Sequence, residues 1–389
     1  MDEENGKLSD WLVVTRREFH MHPELSTEEK ETAARIKKIL RSLNVEAYDL
    51  QGFTGVVGLI QGKAPGKTIA LRADMDALPV QELNEVPYKS QNNGIMHACG
   101  HDIHTTIMLG VAKAIQESGI AMNVKGNVKL LFQPAEEKGI GAREMIARGV
   151  LENPTVDEIF ACHVSPELPV GTIGINPAQS HASADWFSLC IKGKGAHGAH
   201  PSDGIDPIVA GASLITALQS IVSLNIPPTE TAVITVGRFT AGSAANVIPE
   251  EANLEGTIRT FRTDIRDQII ERLREMIRGI EKAFRVSCSL EIKEGMPACV
   301  NDRHVAEFLY DVASAVLGSE NVSYIPPSTG SEDFALFAME KPSALIRLGS
   351  GNKEKGLIHP LHSPLFDVDE EVLMVGVRVF VEAIRRALA

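Results

Sequence analysis

The sequence predicts an α/β protein in which a three-layer domain with a mostly parallel sheet is interrupted by a ferredoxin-like β-α-β-β-α-β satellite. Three observations predict it. Up to residue 181, short runs rich in Val, Ile and Leu alternate with segments periodic at about 3.6 residues, the rhythm of doubly buried strands joined by crossover helices. From 182 to 292 the order becomes strand, helix, strand, strand, helix, strand. From 293 to 389 the first rhythm returns, and a length of 389 residues fits two bodies at roughly 150 residues per domain.

Each element follows from its residues. WLVVTRREFHMHPELS and TEEKETAARIKKILRSLN place apolar residues at helical spacing, with Ser26 or Thr27 before Glu29 resembling a capping box. FTGVVGLIQG, KTIALRADMDALPV, GNVKLLFQPAEE and VDEIFACHV are short apolar runs that read as buried strands. HTTIMLGVAKAIQES and IGAREMIARGV read as the helices between them. In the satellite, DWFSLCIKG, TAVITVGRF, EANLEGTIRTF and VSCSLEIKEG read as strands, and DPIVAGASLITALQSIVSL and DIRDQIIERLREMIRGIEKAF as helices. The last stretch gives helix DRHVAEFLYDVASAVLG, strand PSALIRLGS and helix VLMVGVRVFVEAIRRALA.

Composition excludes several classes of function. Lys+Arg 38 against Asp+Glu 51 leaves a net charge of -13, so no basic surface is available for a nucleic-acid backbone or an anionic membrane. The acidic start MDEENGKLSD has no basic or apolar leader region, and no run of about 18 apolar residues appears anywhere, so the expectation is a cytoplasmic protein with no membrane partner. Five scattered cysteines without a C-x-x-C indicate neither a disulfide framework nor a zinc ribbon. Histidine is more informative: seven of the twelve lie in three clusters, at His97, His101 and His104, at His197 and His200, and at His359 and His362.

In open α/β sheets, ligands collect beyond the carboxyl ends of the strands. The residues just past the predicted strands are Asp74 and Asp76, Glu136 and Glu137, and His163. MHACGHDIHT adds Cys99, His101, Asp102 and His104, and HPLHSPLFD adds His359, His362 and Asp367. A Glu-Glu pair alone is ordinarily a solvated loop, and a single cysteine a small buried hydrophobe. Several loops delivering such groups to one sheet edge are another matter, because thiolate, imidazoles and carboxylates together suit zinc or a similar divalent ion, and five or more ligands suit two. Of adjacent glutamates, one can be a ligand while its neighbour serves as general base.

The segments MHACGHDIHTTIMLG, QPAEE, ACHVSPELPVGTIG, GKGAHGAHPSDGIDPI, NVIPEEANLEGTIRTF, GSEDF and HSPLFDVDEE resemble a metal-dependent amidohydrolase family. That family includes bacterial aminoacylases, hippurate hydrolase, N-acetyldiaminopimelate deacetylase and plant auxin-conjugate hydrolases, within a peptidase/aminoacylase superfamily of carboxypeptidase-G-like fold. The resemblance runs from about residue 12 to the C-terminus. It implies that 1–181 and 293–389 form a catalytic domain and 182–292 a lid and dimerisation domain. It implies that Cys99, His101, Glu137, His163 and His362 hold two divalent ions per subunit (Zn, Mn, Co or Ni), with Cys99 bridging them.

In the same resemblance Glu136 is the general base, taking a proton from the attacking water and passing it to the leaving amine. Asp74, Asp76 and Asp102 would orient imidazoles or neutralise the ions. His197, with His200 as second choice, would stabilise the oxyanion from the partner subunit. Asn246 and Arg259 would hold a substrate carboxylate, a task suited to a forked guanidinium. Gly330, Ser331 and Glu332 would lie near the substrate, although Ser331 also suits a helix cap with Glu332 in the first turn. His20 and His22 match no ligand position and read as structural.

The function implied is hydrolysis of an N-acyl amino acid or related amide conjugate in a homodimer or higher homo-oligomer. A dipeptidase or carboxypeptidase acting on short peptides is a second reading. A catalytically silent binding protein is a third, and Glu136 argues against it, since a binding module needs no base beside a complete ligand set. A zinc base deaminase is disfavoured by the lack of H-x-E followed by P-C-x-x-C.

Overall fold

The computed structural model describes residues 2–389. The described chain divides into two compact units: residues 2–180, 300–326 and 333–389 form the first, and 181–299 with 327–332 the second. The boundary expected after residue 292 falls inside a strand, Ser287–Met296, and the second unit continues to Cys299.

The first unit opens with helices α1 (Asp2–Met21) and α2 (Lys30–Ser42). The expected capping box does not form: Glu29 is itself the residue preceding α2, and it turns inward, accepting from Thr27 N–H at 2.9 Å, Ala135 N–H at 2.9 Å and Thr54 Oγ1 at 2.7 Å. Strands β1 (Glu46–Leu50), β2 (Phe53–Gln61) and β3 (Thr68–Asp74) follow, then α3 (His101–Glu117), β4 (Asn127–Gln133), α4 (Gly141–Ala147), β5 (Glu158–Pro169) and β6 (Ile173–Ile175). All seven residues of β3 are buried, as a run with no polar alternation requires of a strand covered on both faces.

The second unit contains β7 (Ala184–Lys192), α5 (Pro207–Ser220), β8 (Ala232–Ala241), β9 (Glu251–Thr260), α6 (Thr263–Phe284) and β10 (Ser287–Met296). Its strands form one antiparallel sheet in the order β8-β9-β7-β10, the split βαβ arrangement expected from the element order. Leu214 and Leu218 of α5 and Ile269 and Leu273 of α6 pack over Phe187 and Leu189 of β7. Pro207–Asn225 has a mean hydropathy of 1.7, long and apolar enough to cross a membrane, which corrects the expectation that no such stretch exists. Interspersed Ser, Thr and Gln hide it from a search for unbroken apolar runs. A third of it is buried, while Val209 and Leu224 are exposed.

The chain then returns to the first unit with α7 (Arg303–Leu317), β11 (Val322–Tyr324), α8 (Phe334–Glu340), β12 (Ser343–Gly351) and α9 (Glu371–Ala387). The large sheet has the order β1-β2-β4-β3-β5-β12-β6-β11. Its central pairs β4–β3, β3–β5 and β5–β12 are parallel, whereas β1–β2, β2–β4 and β12–β6 are antiparallel. Ile103, Ile107 and Leu109 of α3 join Leu130, Phe160 and Ile346 of the sheet and Val377 and Ile384 of α9 in one core. That core fixes α3 against the strands, with its N-terminus at the end of the sheet where β3, β4 and β5 deliver their polar residues.

Candidate metal centre

Several backbone features gather the polar residues. Gly100, which precedes α3, has φ of 80°, and a Cβ there would meet Val164 Cγ2 at 2.4 Å, so only glycine lets this loop lie against the strand that carries His163. His362 adopts φ of 66° and its N–H donates to Ala98 O at 2.8 Å, which sets its loop beside Cys99. Ala135 takes φ of 54°, its N–H held by Glu29, so the chain turns sharply between β4 and Glu136.

These turns bring together the residues expected at the centre. Ligand atoms of Cys99, Glu137 and His362 lie within 4.8 Å of one another, as do those of His101, Glu136 and Glu137. A third group joins Asp74, His101, His104 and His163. Hydrogen bonds identify the tautomers. His101 Nδ1 faces the Asp76 carbonyl at 2.9 Å and Asp76 Oδ1 at 3.1 Å, both acceptors, so Nδ1 donates and Nε2 is left as the nitrogen a metal ion would bind. His163 Nδ1 donates to Val164 O at 2.8 Å, leaving Nε2 turned toward Cys99 Sγ, 3.5 Å away. His362 Nε2 lies 3.4 Å from Glu137 Oε1.

The electrostatics suit a cation. Burial, countered by His101 but reinforced by Glu137 and Glu136, pushes the Cys99 thiol well above its ordinary pKa. Burial lowers His163 strongly, and the neighbouring His104 lowers it further. Burial also opposes charge on His101, yet Asp74 and Asp76 outweigh it and its pKa is raised. Glu137 raises His362 despite partial burial. His101 Nε2 is buried and makes no hydrogen bond, a cost of about 1–3 kcal/mol that a metal ion would relieve. Thiol, imidazole and carboxylate donors converging on such atoms fit a borderline-soft divalent ion.

The three aspartates divide in function. Asp76 orients His101, and its other oxygen accepts from Ser26 Oγ at 2.6 Å and Glu137 N–H at 3.1 Å. Asp74 binds His104 instead, with His101 Nε2 at 3.8 Å. Asp102 touches no candidate ligand. Its Oδ2 meets Arg16 Nε at 2.8 Å and His20 Nδ1 at 2.8 Å, in a buried cluster that Arg16 extends to Asp367 at 3.0 Å and Glu370 at 3.3 Å. The role expected for Asp102 in orienting an imidazole ligand is therefore corrected: its charge is consumed by Arg16. His97 is buried, belongs to none of the ligand groups, and both its ring nitrogens lack hydrogen bonds.

The remaining expected residues belong to the second unit. His197 is exposed and pairs through its backbone with Val247; its Nδ1 accepts from Ala199 N–H at 3.0 Å, so Nε2 carries the proton. The carbonyl of Asn246 accepts from Gly198 N–H at 2.7 Å, which places these two candidates side by side. Arg259 on β9 is half-buried and holds no ion pair among the described residues, since nearby Asp185 is taken by Arg266 at 2.6 and 2.9 Å. Gly330 and Ser331 are exposed. The expected cap by Ser331 is not formed: α8 starts at Phe334, and Asp333 precedes it without capping, its carboxylate engaged by Arg72, Gln133 and Ala142 N–H.

Sequence reasoning missed Arg16 and Arg72, and read Glu29 only as part of a helix cap. The available signal was a charge inside an otherwise apolar pattern, as in TIALRAD, which has to find buried partners.

The model of peptidase family M20/M25/M40 matches residues 70–386. The chain belongs to this family. As an M20 member it is a metal-dependent hydrolase of amide bonds. It is 39% identical over 381 residues to the N-acetyl-L-cysteine deacetylase of Bacillus subtilis, covering 98% of this chain and 89% of the relative. It is 37% identical over 374 residues to thermostable carboxypeptidase 2 of Saccharolobus solfataricus, covering 95% and 93%. The crystal structure of the Bacillus subtilis YXEP protein, described as a dinuclear metal binding peptidase, matches with a TM-score of 0.87 at 36% identity, covering 98% and 99%.

Proposed function

We propose that this M20 hydrolase cleaves the amide bond of an N-acyl amino acid, releasing a carboxylate and the free amino acid. One observation carries the reading: Glu136 and Glu137 both bring a carboxylate oxygen to His101, so one glutamate can be a ligand while the other handles a proton. Cys99, His101, Glu137, His163 and His362 would hold two divalent ions, Zn, Mn, Co or Ni. When bound, such ions polarise the carbonyl and acidify water.

The chain's own residues supply the rest. Glu136 removes the proton of the attacking water and delivers it to the amine nitrogen as the C–N bond breaks. The Nε2–H of His197, contributed from the partner subunit, would donate to the oxyanion, a contribution typically about 2.7–4 kcal/mol. Arg259, which holds no ion pair among the described residues, and Asn246 would receive the substrate carboxylate, with Gly330 and Ser331 near it. The exposed edge strand β8 and the apolar exposed residues of α5 support a role for the second unit in homodimer formation.

Likeness to a carboxypeptidase supports a second reading, hydrolysis of short peptides. A hydrolysis screen over N-acetyl, benzoyl and longer acyl amino acids together with dipeptides, repeated with each metal, tests both. Turnover of acyl amino acids well above dipeptides is expected. Preference for dipeptides would establish the second reading, and no turnover with any metal would sink both.

A further inference from the structure

We propose that His104 is a positioning residue that locks the backbone carrying His163. The inference rests on reading His163 as a metal ligand. His104 stands among the atoms that could themselves hold an ion, with Asp74, His101 and His163, yet its bonds remove it from that set. The Val164 N–H donates to His104 Nε2 at 2.9 Å, and His104 Nδ1 lies 2.5 Å from Asp74 Oδ1. An imidazole nitrogen that accepts a backbone N–H has its lone pair in use, so Nε2 is the unprotonated nitrogen and Nδ1 donates to Asp74. Neither nitrogen of His104 is available to a cation.

The same contacts make His104 a clamp. Val164 is held at its N–H by His104 and offers its carbonyl to the Nδ1–H of His163, the bond that aims His163 Nε2 toward Cys99. The two rings also meet edge to face, centroids 4.7 Å apart. Behind His104, Asp74 is fixed by Arg72 Nη1 at 2.7 Å and by Thr105 Oγ1, which donates to its carbonyl at 3.0 Å. Arg72 is anchored in turn by Gln133 at 2.8 Å and Asp333 at 2.9 Å. All of these side chains except that of His163 are buried. A rigid line thus runs from Asp333 through Arg72, Asp74 and His104 to the peptide beside His163, and groups that orient a ligand are typically worth 10–100-fold in metal affinity.

The test compares divalent-ion binding by chelator competition in the full chain, using Zn²⁺ and Co²⁺, for wild type, His104→Phe and His104→Gln. Phenylalanine keeps the ring volume and loses both bonds; glutamine can still accept the Val164 N–H through its amide oxygen. Loss of roughly 10–100-fold in affinity for one ion in His104→Phe, with most of it regained in His104→Gln, is expected. A wild-type protein that binds ions and a His104→Phe variant that binds them equally well would overturn the inference while leaving the proposed function standing. Wild-type protein that binds no divalent ion would instead remove the ligand reading on which both depend. If the phenylalanine variant fails to fold, ¹⁵N-histidine NMR of the wild type decides: His104 must be the neutral Nδ1–H tautomer, and a proton on Nε2 overturns the inference.

Discussion

Asp76 holds His101 through two of its own oxygens, the backbone carbonyl at 2.9 Å and Oδ1 at 3.1 Å, while its Oδ2 takes the N–H of Glu137 at 3.1 Å. One aspartate therefore sets the direction of an imidazole and the position of a glutamate in the next loop. Asp76→Ala should weaken divalent-ion binding by about 10–100-fold, and Asp76→Asn, which can still accept from Nδ1, should recover part of it. Equal affinity of the alanine variant and wild type, measured by competition with a chromophoric chelator, would show that the backbone carbonyl suffices.

Glu136→Gln should keep its metal content and lose at least about 10²-fold in kcat, the usual scale for a positioned base. Elemental analysis and steady-state kinetics on the same preparation check both halves. Unchanged turnover would take Glu136 out of proton transfer.

Metal uptake should release protons. In the metal-free protein burial, against His101 but with Glu137 and Glu136, holds the Cys99 thiol protonated at neutral pH. Binding requires the thiolate, so at least one proton leaves and affinity rises with pH by about tenfold per unit for each proton released. Calorimetry in two buffers of different ionisation heat, across roughly pH 6 to 8, reads the number directly. A heat that does not depend on the buffer would contradict the coordination of Cys99.

Arg16 is fully buried among Asp102, Asp367 and Glu370. Arg16→Met strands those carboxylates and should cost about 3–5 kcal/mol in urea unfolding. The pH dependence has a defined sign. Burial opposes the charge on Asp102, but Arg16 and His20 outweigh it and hold its pKa well below the ordinary aspartate value. A carboxyl depressed in the folded state contributes stability above the unfolded pKa of about 3.9, and that contribution is lost as pH falls further. Wild type should lose stability steeply below about pH 4, with a shallower acid limb in Arg16→Met; parallel limbs would mean that Arg16 does not set the Asp102 charge.

Elements with a strong period were legible in the sequence, and so were the groups beyond β3, β4 and β5, because a polar residue after a buried run marks the sheet edge. Weak elements were not. β1 is mostly exposed and lacks apolar alternation, and β6 and β11 are three residues long, so their pairing depends on neighbours supplied from elsewhere in the chain. Cys99, His101 and His104 look alike as potential ligands in MHACGHDIHT, since spacing reports proximity and not which nitrogen is engaged. Only the Val164 N–H separates His104 from its neighbours. Arg16 and Asp102 are 86 positions apart, a pairing invisible without tertiary contacts.

β12 lies between β5 and β6, two strands that follow each other within a few residues of chain. A ribosome must therefore make the whole second unit before the strand that fills this gap emerges. Until then, the apolar edge of β5 that carries His163 has an unpaired row of peptide groups, a template for pairing with another nascent chain. Closing so distant a contact is slow. Chains truncated before Ser343 should aggregate through that edge, and a chaperone that shields it during synthesis should raise the yield of native enzyme.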